Sequence, residues 1–193
     1  MGYEDGGNAL EMYAARLLQF KQQCKTENID IPFVWHAGET LDVGGGADMN
    51  IVDALSLGTR RIGHGLSLIH HPHLMDIVKH QNIAIELCPI SNKVLKYVPS
   101  DIRLHPLNAF VAHGLPVVLS PDDPAIFCVG EHPFSYDLWV AFMTWNMDVA
   151  TLKMLAINSI EHALLDESEK SRALRIWEKQ WKQWVNDMLD MEL

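Results

Sequence analysis

The sequence predicts an α/β fold, the C-terminal half of a TIM (β/α)8 barrel followed by terminal helices. Three observations carry this reading. Short uncharged strands alternate with helical segments, residues able to do chemistry fall at the C-terminal ends of those strands, and the βα units number about four where a closed barrel of roughly 250 residues takes eight.

The first segment, residues 8–26, repeats Leu10, Tyr13, Ala14, Leu17, Leu18 and Phe20 at helical spacing and reads as an amphipathic helix. Ile31-Pro32-Phe33-Val34-Trp35 is short, β-branched and aromatic, the pattern of a buried strand, and it runs into His36-Ala37-Gly38-Glu39. A helix near 48–57 leads to a strand at Arg61-Ile62-Gly63 and then His64. A helix from Pro72 leads to a strand over 83–87 and then Cys88. A helix near 106–112 leads to Pro116-Val117-Val118-Leu119-Ser120, with Asp122 and Asp123 after it. Successive strand ends, His36, His64, Cys88 and Asp122, are 28, 24 and 34 residues apart, ordinary lengths for right-handed βαβ units on a parallel sheet. Beyond Asp123 the pattern is helical, over 134–145, 151–165 and 167–190, with no further strand. Residues 1–193 thus read as one partial barrel domain. An open half-barrel exposes two sheet edges and part of an apolar interior, so the isolated chain is expected to be a fragment or truncated product, unstable or prone to self-association.

Composition narrows the class of function. With 193 residues, 48% hydrophobic and 21% charged, the chain has material for a core and is neither disordered nor fibrous. No apolar run reaches the roughly 20 residues that a bilayer span needs, and the acidic, glycine-rich start has no signal-peptide character. Lys+Arg 15 against Asp+Glu 25, a net charge of -10, argues against a nucleic-acid partner. Cys24, Cys88 and Cys128 are odd in number and widely spaced, which disfavours a disulfide scaffold.

Three strand ends carry candidate chemistry. In His36-Ala37-Gly38-Glu39 two small residues let the backbone turn so that an imidazole, which suits Zn2+, and a carboxyl group, which shuttles protons, share one cavity. His64 is flanked by Gly63 and Gly65, which leave room for a substrate or a metal-bound water, and reads as a general base. Asp122-Asp123 before Pro124 are two carboxylates in a rigid turn, one for metal and one for substrate. Two other features read as structural: His70-His71-Pro72-His73 as a helix start with exposed histidines, and Trp177, Trp181 and Trp184 as a core-packing stripe.

His36-Ala37-Gly38-Glu39, Gly63-His64-Gly65 and Ser120-Pro121-Asp122-Asp123-Pro124, in that order, resemble the adenosine deaminase family, a metal-dependent hydrolase barrel. Cys88-Pro89-Ile90-Ser91-Asn92-Lys93-Val94-Leu95, Ser135-Tyr136-Asp137 and Trp177-Glu178-Lys179-Gln180-Trp181 resemble its secreted, growth-factor-related branch. The resemblance implies zinc-dependent deamination of adenosine, and of deoxyadenosine, to inosine and ammonia. It makes His36 and Asp122 zinc ligands, Glu39 the donor of a proton to purine N1, and His64 the residue that activates or orients the zinc-bound water. Asp123 would accept a hydrogen bond from the purine, and Gly2 would place its backbone against the ring. It also implies an extracellular location, a nucleoside as partner, and a homodimer built through N-terminal elements of the full-length protein. The family takes two further zinc ligands from a His-x-His on its first barrel strand. A chain holding His36 and Asp122 alone is expected to bind zinc weakly and to be inactive by itself. Alternatives are a deaminase of AMP or another purine, and a non-catalytic extracellular ligand. Retention of Glu39, His64, Asp122 and Asp123 together speaks against the latter.

Overall fold

A computed structural model describes residues 9–127 and 132–191. A 3-10 turn, Leu10–Tyr13, runs into α1 (Ala14–Thr26). Next come β1 (Phe33–Ala37), α2 (Gly46–Ser56), β2 (Thr59–His64), α3 (Pro72–His80) and β3 (Ala84–Leu87). These are followed by α4 (Pro89–Val94), α5 (Leu107–His113), β4 (Val117–Leu119), α6 (Pro124–Phe127), α7 (Pro133–Trp145), α8 (Val149–Glu161) and α9 (Glu167–Asp190).

The strands form one parallel sheet in the order β1-β2-β3-β4. Strand order equals chain order, with no reversal, which separates a barrel segment from a doubly wound sheet with its switch point. The register sets Trp35 beside Ile62, Ile62 beside Ile85 and Ile85 beside Val117. Burial of Ile62, Ile85, Leu87, Val117 and Leu119 explains why these strands read as apolar runs. Ile51 and Ala54 of α2, Val78 of α3, Phe110 of α5 and Leu155 of α8 pack into the same core. Among the described residues β1 and β4 each pair on one side only, so the sheet is open.

Four sequence expectations need correcting. First, β1 begins at Phe33 rather than Ile31 and includes His36: Ile31 is exposed and Pro32 has no N–H to give a ladder. Second, α8 stops at Glu161, four residues short of the expected end, with His162 as its C-cap, whose carbonyl accepts from the Arg61 guanidinium at 2.9 Å. Third, Trp177, Trp181 and Trp184 are not core. Trp177 stacks on Trp181 with centroids 5.3 Å apart and Trp181 meets Trp184 at a tilt with centroids 5.0 Å apart, along α9, a helix with no buried residue among those described. Among the described residues α9 packs chiefly on α8, which leaves the rest of its surface uncovered. Fourth, of the histidines around Pro72, His70 and His73 are exposed but His71 is not: its Nε2 lies 2.7 Å from Oδ1 of the fully buried Asp48. The other Asp48 oxygen accepts the Gly44 N–H at 2.7 Å, so the pair ties the start of α3 to the glycine loop after β1.

Candidate active site

His36, Glu39, His64, Cys88, Asp122 and Asp123 all lie at the C-terminal edge of the sheet, as the spacing of strand ends predicts. Neighbouring strands do the placing. His36 on β1 is in register with Gly63 on β2, and its ring meets that of His64 edge-on, with centroids 4.8 Å apart at 90°. A Cβ on Gly63 would collide with the His36 ring. That space belongs to an imidazole rather than to substrate or water, which corrects the reason expected for Gly63.

The backbone at this edge is unusual. Gly38 has φ +70, and so restricted a turn, with Ile51 and Ser67 filling the space where a Cβ would sit, admits only glycine. His64 (φ 63) and Asp122 (φ 59) are left-handed without being glycine. Such residues persist only where their surroundings fix them, and they concentrate at functional sites.

His64 is the hub. Its Nε2 lies 3.4 Å from Glu39 Oε1 and 3.9 Å from Asp122 Oδ2. Among the described residues, two sets of side chains bring potential metal-ligating atoms within 4.8 Å of one another, His36 with Glu39 and His64, and His64 with Cys88 and Asp122. The predicted ligands His36 and Asp122 therefore meet through His64 and do not share one such set. Burial, then the neighbouring His36, push the His64 pKa down to about 4, against the pull of Asp122. Burial first, then Asp122, raises the Cys88 thiol well above its ordinary range. Imidazole and carboxylate donors at one rim do suit Zn2+, though His36 and Asp122 make two ligands where zinc takes three or four from protein. Asp123 Oδ2 is buried with no hydrogen-bond partner among the described residues, as an acceptor kept for a ligand would be. Gly2 lies outside the described residues.

Four residues to which sequence reasoning gave no role support this rim. Ser91 Oγ donates to Asp122 Oδ2 at 2.6 Å. Asn92 Nδ2 meets His64 Nδ1 at 3.1 Å, and Asn92 Oδ1 meets His105 Nε2 at 3.1 Å. Asp137 on α7 accepts the Ile90 N–H at 3.4 Å, bracing the start of α4. The signal was present in part: Ser91, Asn92 and Asp137 stood in the motifs that carried the resemblance. His105 had none.

A family model described as adenosine deaminase matches residues 11–178. The chain is 43% identical to adenosine deaminase 2 of Homo sapiens, an alignment covering 97% of this chain and 36% of that protein. The chain thus spans about a third of such a relative. Its fold is similar to that of the adenine deaminase of Arthrobacter aurescens, with TM-score 0.74 and 24% identity over 93% of this chain and 50% of that one. An amidohydrolase from Burkholderia ambifaria, solved with bound Zn, gives TM-score 0.79 and 19% identity over 97% of this chain and 49% of its own.

Proposed function

The chain belongs to the adenosine deaminase family, and from that premise we propose that it supplies the C-terminal half of a barrel that hydrolyses adenosine to inosine and ammonia. The observation that carries the proposal is the convergence of Glu39 and Asp122 on His64, at 3.4 and 3.9 Å, from three separate strand ends. Residues so far apart in the chain need not meet for the sake of folding, and a pure binding module has no use for Glu39, His64 and Asp122 together.

His36 and Asp122 would hold a zinc ion, with the rest of its ligands provided by the part of the barrel that lies outside these strands. Bound there, Zn2+ would act as a Lewis acid and lower the pKa of water from 15.7 to about 7. Glu39 hands a proton to purine N1, placing charge where attack at C6 develops it. Asp123 accepts a hydrogen bond from the purine through its unpartnered Oδ2. His64 faces the attacking water. By itself the 193-residue chain, with two ligands, turns over little or nothing.

The kinship with the secreted, growth-factor-related branch supports action outside the cell, in a homodimer of the full protein. Among the described residues no helix is long and apolar enough to cross a membrane. In the complete barrel, Glu39→Gln is expected to lower kcat for adenosine by roughly 10²- to 10⁴-fold, the usual worth of a positioned proton donor. Adenosine is expected to be the better substrate in a parallel assay with AMP. Full activity of Glu39→Gln would contradict the assignment, and preference for AMP would move the substrate to a nucleotide.

A further inference from the structure

The hydrogen-bond polarity at His64 is set from outside the site. A backbone N–H can only donate, and that of Leu107, opening α5, donates to His105 Nδ1 at 3.1 Å. His105 is buried and neutral, so its single ring proton must sit on Nε2, which faces Asn92 Oδ1 at 3.1 Å. The amide oxygen accepts, and the amide nitrogen on the other arm of Asn92 donates to His64 Nδ1 at 3.1 Å. Turning the Asn92 amide over fails: Nδ2 would then donate to His105 Nε2 while Leu107 donates to Nδ1, and a neutral imidazole cannot accept at both nitrogens. Asn92 is fully buried, with both arms of its amide engaged by the two imidazoles. With Nδ1 occupied as acceptor, the proton of neutral His64 sits on Nε2, the nitrogen that faces Glu39 and Asp122.

We propose that Asn92 and His105 are positioning residues that lock His64 in its Nε2–H form, so that His64 gives a hydrogen bond into the site and is not the base. The proposal rests on the deaminase reading for what the donor meets, the oxygen of the attacking water. With no lone pair of His64 turned inward, the proton leaving that water passes to the Glu39 carboxylate and from there to purine N1. Glu39 ends the step ionised as it began, the C6–O bond has formed, and N1 carries the proton. This replaces the general-base role expected of His64.

The experiment is long-range proton–nitrogen NMR of the histidine rings in the complete, zinc-loaded deaminase, which reads directly which nitrogen bears hydrogen. The expected result is hydrogen on Nε2 and none on Nδ1 for both His64 and His105. Hydrogen on Nδ1 of His64 in the unaltered protein overturns the proposal. Asn92→Asp exchanges the donating arm for an acceptor and is expected to bring hydrogen onto His64 Nδ1, with kcat about 10–100-fold lower and KM little changed. His105→Gln, which can accept from Leu107 and still donate to Asn92, is expected to keep the Nε2–H form. An Asn92→Asp protein that folds with the ring pattern unaltered also overturns the proposal. The ring readout does not depend on turnover: an inactive protein showing the Nε2–H form would refute the deaminase reading and leave the relay intact.

Discussion

Asp137 pays for its place beside the rim in a way that pH reveals. It is 3% exposed, and burial, with repulsion from Asp122, holds its pKa up to about 6 despite the Ile90 N–H. An unfolded chain releases the same proton near 3.8. The folded state therefore binds the proton more tightly, and the stability this contributes is full below about pH 4 and lost as pH rises through about 6. Above that range ionised Asp137 costs on the order of 3 kcal/mol. Asp137→Asn keeps the shape and the acceptor but cannot ionise. In zinc-free protein it is expected to raise stability by on the order of 1–3 kcal/mol near pH 8 and to leave it unchanged near pH 4, read from urea unfolding at both values. Equal effects at both would contradict this. At the same scale, the position of His36, Glu39, His64, Asp122 and Asp123 at the C-terminal edge of the sheet was legible because each follows or closes an apolar run. The left-handed backbone of His64 and Asp122 was not, since neither residue type announces a positive φ. Nor was the buried pairing of His71 with Asp48, which depends on two elements meeting in space.

Among the elements, α4 does most to shape the site. Six residues long, it delivers Ser91 to Asp122 and Asn92 to His64, and α7 holds its first turn through Asp137. Ser91→Ala removes the 2.6 Å bond that orients the Asp122 carboxylate. Zinc affinity of the complete barrel is expected to fall about 10–100-fold with little loss of stability, measured by competition with a chelator. Unchanged affinity would mean that Asp122 needs no such support, or holds no metal. The four strands were readable from sequence because burial on both faces makes them uncharged and β-branched. Helices α4 and α6 were not, as they are too short for a 3.6-residue period and open on Pro89 and Pro124, which signal turns as readily as helix starts. The tryptophans of α9 show the reverse error: a stripe at helical spacing gives a face, not what covers it.

At the scale of the whole molecule, four strands in chain order, with β1 and β4 each paired on one side among the described residues, form an arc of a barrel. Barrel architecture was legible because βα units have a characteristic length and no switch point interrupts them. The detailed wiring of the rim was not, because hydrogen bonds between α4, α5 and the strand ends leave no periodic trace. Zinc-edge anomalous diffraction from crystals of the complete protein carrying this segment decides whether this rim holds the metal. One zinc ion is expected, bonded to an imidazole nitrogen of His36 and a carboxylate oxygen of Asp122, with Glu39 and His64 beside it. A zinc ion bound elsewhere, with His36 and Asp122 beyond bonding distance, would contradict that placement.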